Sequence, residues 1–314
     1  MMKNIPLTKM LHYNNLLRIV SFLSALTAHI AFAAPEITKP LIITTIKPLA
    51  IIAQSAVGDQ ARVEFLQSAA QSAHGVSLPV SALKKIDRAD LIIWIGEMFE
   101  FRVAKPMALL PEERRITVMQ LPMIAPEDTG RQQEVGYQRG EVHDHGEFSV
   151  DPHVWLNPEN ANLIAAEIQQ RLKLPVKAII SAEQIAKLAA ELAPLSDKQF
   201  LAHHDALGHF TSLFNLQSGF SIRDANGASQ GVRSQYRLRQ EAIASAASCI
   251  FIEPQYADRD AQVIADELSL PVALIDIQGL DQALVGDAYA SFMQTLTAQF
   301  KSCFGGSPSR LPSP

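Results

Sequence analysis

The chain is poor in cysteine, in net positive charge and in long apolar segments. Its only two cysteines, Cys249 and Cys303, lie too far apart in sequence to indicate a zinc site, because zinc cysteine ligands usually come in close pairs. The formal net charge of -5 gives the protein no electrostatic reason to bind nucleic acid or an anionic membrane surface. Beyond the N-terminus, no stretch approaches the roughly 20 apolar residues of a membrane-spanning helix. The H-E-x-x-H motif of zinc hydrolases is also absent.

Apolar residues are plentiful in shorter segments and make up 48% of the chain, which is enough for a sizeable core. Continuous apolar segments such as "LIITT", "DLIIWIG", "CIFIE" and "PVALID" alternate with segments of helical character. This alternation predicts parallel β-sheets that are covered by helices on both faces. The pattern occurs in both halves of the chain, so the predicted fold class is α/β with two lobes, each built on a mostly parallel sheet.

The predicted segments follow from these patterns and from changes in composition. A helical linker joins the lobes, with Pro175 as a break and Pro194 as a stop. A polar loop without periodicity interrupts the first lobe, and a tail rich in proline and serine ends the chain. The ranges are 1–33 for a signal peptide, 34–160 for the N-terminal lobe with its loop at 125–149, 161–194 for the linker, 195–305 for the C-terminal lobe and 306–314 for a disordered tail.

The N-terminus is typical of an export signal. Three cations, Lys3, Lys9 and Arg18, accompany an apolar stretch that ends in "AFA" and predicts cleavage near Ala33–Ala34. The alternative is a membrane anchor, but the apolar stretch is too short and is followed by small residues and a proline. No cysteine lies near the cleavage site, which disfavours a lipid anchor. We therefore expect an exported protein of the periplasm.

Both cysteines belong to the part that is exported. In an oxidising compartment an isolated pair favours a disulfide between Cys249 and Cys303. The alternative is two separate buried thiols. A disulfide would attach the C-terminal helix to the body of the protein.

Several histidines and one aspartate occupy positions where α/β proteins place ligands. His74 lies in a loop before a predicted helix, His153 precedes the apolar "VWL", and His204 and Asp276 end buried strands. Three imidazoles and a carboxylate suit a borderline divalent cation such as zinc. Each residue alone is more simply explained as a surface, core or capping group, and spacing alone does not show that the four converge.

The order of the motifs adds information that spacing does not. The segments "TTIKPLAIIAQSAVG", "SAHGVSLPVSALKKIDRADLIIWIGEMFE", "DPHVWLNPENA", "HHDALGHF", "CIFIEPQY" and "LIDIQG" resemble, in this order, those of periplasmic metal-binding proteins of zinc and manganese ABC importers. The likeness is greatest to the zinc-uptake (ZnuA) type and covers almost all of the chain after the signal. It implies a metal site between the lobes with the ligands His74, His153, His204 and Asp276. It also implies a disulfide at the cysteine pair.

The resemblance further implies a function and a partner. The chain would bind Zn²⁺ as transported cargo and deliver it to the membrane permease of an ABC importer, acting as a monomer and catalysing no reaction. His204 favours zinc, because manganese members usually carry glutamate at this position. A manganese or iron relative, an adhesin-like relative and a zinc hydrolase are the alternatives. The residue before the first histidine is Ala73, where some zinc members have an acid, so Asp276 or water is expected as the fourth ligand.

Two further histidines, His143 and His145, lie in the polar loop in the short sequence "HDHGE". Zinc members of the family have a longer loop of this composition. Coordination by a loop must offset the loss of chain entropy on ordering, so we expect at most a weak accessory metal site. The alternative is a solvated loop without function.

Overall fold

A computed structural model of the chain describes residues 39–72, 74, 78–122, 124, 150–224, 227–256 and 259–305. The predicted signal peptide (1–33), the polar loop (125–149) with His143 and His145, and the predicted tail (306–314) lie outside these residues. No helix in the described part of the chain combines the length and apolar character that a membrane crossing requires.

The first sheet has four parallel strands in the order β2-β1-β3-β4. Its strands are β1 (Leu41–Thr44), β2 (Arg62–Phe65), β3 (Leu91–Trp94) and β4 (Arg115–Thr117). All four residues of β3 are buried, as expected for an inner strand covered on both faces.

The second sheet repeats this arrangement, with four parallel strands in the order β6-β5-β7-β8. Its strands are β5 (Leu201–His204), β6 (Phe220–Arg223), β7 (Ile250–Ile252) and β8 (Val272–Leu274). In both sheets the chain moves to one side of the first strand and then to the other. The topological switch points therefore lie between β1 and β3 and between β5 and β7, where open α/β sheets bind ligands.

The helices cover these sheets and connect their strands. They are α1 (Lys47–Val57), α2 (Val80–Arg88), α3 (Ala104–Ala108), α4 (Pro158–Arg171), α5 (Ala182–Leu192), α6 (Gly208–Leu213), α7 (Val232–Ala244), α8 (Arg259–Leu268) and α9 (Ala288–Phe304). Ten of the eleven residues of α1 are buried, which makes it a core helix. These two parallel sheets flanked by helices confirm the predicted α/β fold class.

The segment predicted as a helical linker, residues 161–194, contains most of α4 and all of α5, separated by a non-helical stretch that includes Pro175. Asn157 caps α4 by accepting hydrogen bonds from the backbone of Glu159 and Asn160. Ser181 and Gln184 form a capping box at the start of α5. α4 packs against α1, whereas α5 packs against the last helix, α9. Each part of the linker is therefore anchored on a different helix.

Cys249 and Cys303 are joined by a disulfide, with their Cα atoms 5.8 Å apart. The bond links the residue before β7 to the last turn of α9 and confirms the sequence prediction. Around it, Phe251 and Phe300 stack with their ring centroids 5.0 Å apart. The end of α9 is thus fixed both covalently and by aromatic packing to the second sheet.

Candidate metal centre

Three of the predicted ligands meet at the carboxyl ends of the strands. One nitrogen from each of His74, His153 and His204 lies within 4.8 Å of the others, and they form the group that could hold a metal ion among the described residues. His74 follows β2, His153 precedes the short 3₁₀ turn Val154–Leu156 before α4, and His204 is the last residue of β5. The folded chain thus brings together side chains that are far apart in sequence.

The spacing of two imidazoles matches tetrahedral zinc. With Zn–N bonds of about 2.0–2.1 Å, two nitrogens of a tetrahedral site lie about 3.3 Å apart. The Nε2 atoms of His153 and His204 lie 3.3 Å apart. Two facing lone pairs at this distance repel each other unless a proton or a cation lies between them. The pair is therefore arranged to share a cation.

Each of these two histidines is oriented by a buried carboxylate. Nδ1 of His153 lies 2.7 Å from Oδ1 of Asp151, which also accepts a hydrogen bond from the backbone N–H of His153. Nδ1 of His204 lies 2.6 Å from Oε1 of Glu253, the residue that follows β7. A carboxylate on Nδ1 favours the tautomer that carries its proton there, which leaves Nε2 free to bind a metal.

The three histidines have different electrostatic surroundings. Burial and the neighbouring charges of His153 and His204 lower the pKa of His74 to about 2, so its imidazole is neutral. Burial lowers the pKa of His204, but the charge and hydrogen bond of Glu253 outweigh it, and the pKa is raised overall. Burial opposes ionisation of Asp151, yet its interactions with His153 prevail and lower the pKa of its carboxyl. Protons therefore compete with a metal more strongly at His204 than at His74.

Aromatic rings surround the histidines. The ring of Phe99 lies 4.6 Å from that of His74 and 5.8 Å from that of His153, measured between centroids. Trp155 packs against His153 at 5.2 Å and donates its indole N–H to the backbone carbonyl of Ile277. His153 is 1% exposed, so it is held in place before any metal binds and loses little entropy on coordination.

The described residues 66–72 and 74, which we call the His74 loop, are held by the C-terminal half of the chain. Three hydrogen bonds, which we call the loop latch, connect the two. The side chain of Gln255 donates to the carbonyl of Ala69, the hydroxyl of Tyr256 donates to Oγ of Ser72, and the side chain of Gln278 donates to the carbonyl of Gln71. The position of His74 therefore depends on contacts between the two halves.

Asp276 does not join the histidine group in this structure. Its oxygens accept hydrogen bonds from the backbone N–H groups of Gln278 and Leu280, so the carboxylate caps the turn after β8. Burial raises the pKa of Asp276, and these hydrogen bonds offset only part of that rise. In this structure Asp276 therefore caps a turn, and its role as the fourth metal ligand stays a prediction.

Sequence reasoning missed Asp151, Glu253 and the latch residues. Two signals were available: Asp151 lies two residues before His153, and Glu253 directly follows a buried strand. The position of Glu253 points to His204 only when the order of the strands is known, because β7 lies beside β5 in the sheet. The latch had no sequence signal, since glutamine and tyrosine are common in surface loops.

The chain is similar in sequence to known proteins of zinc uptake. The family profile described as "Zinc-uptake complex component A periplasmic" matches residues 42–303. The chain is 26% identical over 321 residues to the high-affinity zinc uptake system protein ZnuA of Yersinia pestis, covering 94% of this chain and 99% of the relative. It is 27% identical over 288 residues to the protein of the same description from Haemophilus ducreyi, covering 83% and 92%.

A solved structure shares the fold. The periplasmic zinc-binding protein TroA of Treponema pallidum superposes with a TM-score of 0.66 and 16% sequence identity, covering 84% of this chain and 99% of that one. At this identity the likeness concerns the fold alone.

Proposed function

The chain belongs to the family of periplasmic zinc-uptake component A, and we propose from this membership that it captures Zn²⁺ and delivers it to the membrane permease of an ABC importer. Members of this family are solute-binding proteins and not enzymes. Zinc is accordingly the cargo, and binding and release are the whole of the chemistry.

The observation that carries the proposal is the convergence of three imidazoles at the ends of the strands. His74, His153 and His204 bring their nitrogens within 4.8 Å of one another, and two of these nitrogens already have the separation of a tetrahedral zinc site. Nitrogen donors suit zinc better than manganese, which prefers oxygen. This donor set therefore favours zinc over the manganese alternative.

For the fourth position we propose a water molecule. Asp276 was predicted as a ligand, with water as the alternative, but its oxygens accept the backbone N–H groups of the turn after β8. The group of nitrogens that lie within 4.8 Å of one another does not include an oxygen of Asp276, so coordination by Asp276 would require movement of this residue or of the histidines. A water ligand needs no such movement.

Uptake and release require the site to open, and the His74 loop is the element best suited to move. His74 is the ligand furthest from regular structure, whereas His153 and His204 are attached to a 3₁₀ turn and a strand. Breaking the loop latch would withdraw one of three protein ligands and leave two. We propose that docking on the permease favours this opened state.

The remaining parts of the proposal concern the segments outside the described residues. Residues 1–33 would direct export, with cleavage near Ala33–Ala34, and the mature protein would act as a monomer in the periplasm. His143 and His145 would form a weak accessory site that collects zinc. For the described residues, we also propose a division into an N-terminal lobe, a helical linker and a C-terminal lobe.

A competitive zinc titration of the mature, chelator-stripped protein tests the function. We expect one tightly bound zinc per chain, with affinity reduced by more than about a hundredfold in His204→Ala. The double variant His143→Ala/His145→Ala is the matched control, because it removes two histidines outside the described site and should keep the tight zinc. If His204→Ala binds zinc as tightly as the wild type, this site is not the zinc site.

A further inference from the structure

We infer that Asp151 and Glu253 make this site selective for a doubly charged cation over a singly charged one. The inference rests on the proposed function and deepens it. Three neutral imidazoles alone do not distinguish Zn²⁺ from Cu⁺ by charge, and imidazole is a suitable ligand for both zinc and copper. Selection by charge must therefore come from groups behind the histidines.

The two carboxylates lie where they can act on the metal through its ligands. Oδ1 of Asp151 is 2.7 Å from Nδ1 of His153, and Oε1 of Glu253 is 2.6 Å from Nδ1 of His204. A negatively charged carboxylate thus lies beside each of these two imidazoles, on the side opposite the metal. Because an imidazole is polarisable and small, that charge is felt at the metal position.

Both carboxylates are shielded from water. Asp151 is 3% and Glu253 is 4% exposed, and within the described part of the chain their ion-pair partners are His153 and His204. The second oxygen of Glu253 has no hydrogen-bond donor within reach among the described residues. A partly exposed carboxylate, Asp205, also lies near His204, but solvent screens it more strongly.

The charges of the site follow directly. Imidazoles that coordinate a metal are neutral, so with the two carboxylates the site carries two negative charges, which a divalent cation neutralises and a monovalent cation leaves half compensated. In a water-poor site an uncompensated charge is costly, because Coulomb energies are several-fold larger than in bulk water. The same charges do not separate Zn²⁺ from other divalent cations, which is left to geometry and donor type.

Packing holds Asp151 firmly in this position. A Cβ atom placed on Gly208, the first residue of α6, would lie 2.7 Å from Oδ2 of Asp151, which is closer than real contacts allow. Nε2–H of the buried His209 donates to the backbone carbonyl of Asp151, at 3.0 Å. The carboxylate is therefore fixed by its surroundings as well as by His153.

The experiment compares the affinities of the mature protein for Zn²⁺ and for Cu⁺. Each affinity is measured by competition with a chelator, and the Cu⁺ titration is carried out in the absence of oxygen. Asp151→Asn and Glu253→Gln keep the shape and an acceptor oxygen while removing one charge each. We expect Zn²⁺ affinity to fall more than Cu⁺ affinity, so that the preference for Zn²⁺ drops on the order of ten- to a hundredfold in each variant. Glu100→Gln, which changes another buried glutamate that hydrogen-bonds to Ile95, should leave the preference within about twofold.

Further measurements separate charge from shape. Glu253→Asp keeps the charge, so its preference for Zn²⁺ should remain even if both affinities fall, and the Co²⁺ absorption spectrum reports whether the ligand geometry is retained. Equal losses of Zn²⁺ and Cu⁺ affinity in Asp151→Asn and Glu253→Gln would overturn the inference, as would a lost preference in Glu253→Asp. A wild type that fails to bind zinc tightly would instead overturn the proposed function.

Discussion

The loop latch leads to a prediction about the rate of zinc release. In Tyr256→Phe the hydroxyl is lost and with it the 2.9 Å hydrogen bond to Oγ of Ser72, while the ring that stacks on His203 is kept. A hydrogen bond of this kind contributes about 1 kcal/mol net, which corresponds to a factor of about five in a rate or an equilibrium constant. If opening of the His74 loop precedes release, zinc should leave this variant about fivefold faster than the wild type.

Stopped-flow mixing of zinc-loaded protein with excess chelator measures that rate. The bond exists in the closed state alone, so the association rate should stay unchanged and the affinity should weaken by the same factor. Tyr236→Phe is the matched control, because Tyr236 is 66% exposed on α7 and takes no part in the latch. Adding Gln255→Ala to Tyr256→Phe should accelerate release again, by a similar factor.

An unchanged release rate in both the single and the double latch variants would refute this reasoning. It would mean that the His74 loop stays closed during release, or that another ligand leaves first. A slower association in Tyr256→Phe would point to a different error, namely that the latch preorganises the open site.

Three other predictions follow from the same structure. The pKa of His204 is raised, and this ligand must lose its proton to bind zinc. As the pH is lowered, zinc affinity should therefore begin to fall at a pH above 6.5, the ordinary pKa of histidine, which zinc titrations between pH 8 and 5.5 will detect. Gly208→Ala should displace Asp151 and weaken zinc binding about tenfold in the same titration, whereas an unchanged affinity would show that the carboxylate can shift without consequence. Reducing the disulfide, whose cysteines are 54 residues apart, should lower the free energy of unfolding of the metal-free protein by about 4 kcal/mol in urea titrations. A Cys249→Ser/Cys303→Ser variant that ignores reductant is the control.

Sequence patterns predicted most of the fold because the inner strands are unusually apolar. β3 and β7 are buried along their whole length, and such strands are apparent from composition alone. β6 is not among the apolar segments that predict strands. It is an edge strand with the sequence "FSIR", in which one residue of four is fully buried. A partly exposed edge strand has little apolar signal to distinguish it from a loop.

The site was predictable as a set of histidines but not as a geometry. His74 was indicated by the resemblance of its segment to the family, whereas His153 and His204 stood out because they border buried segments. Asp276 stood out for the same reason, yet its oxygens accept backbone N–H groups of a tight turn. Position at a strand end does not determine which way a carboxylate turns, because that choice depends on local hydrogen bonds. The partners Asp151 and Glu253 required the three-dimensional order of the strands.

The packing of α9 on α1 has a consequence for how the molecule folds. Paired residues within each sheet are at most 49 residues apart in sequence, a much shorter separation than that between α1 and α9. The packing around the core helix α1 is completed late, because it needs α9. The backbone N–H of Tyr289 in α9 donates to Oγ of Ser55 in α1, and these two residues are 234 positions apart in sequence. Until the last helix arrives, the apolar face of α1 that it covers stays open to other chains. A chain that ends before residue 288 should therefore aggregate, even though both of its sheets are complete.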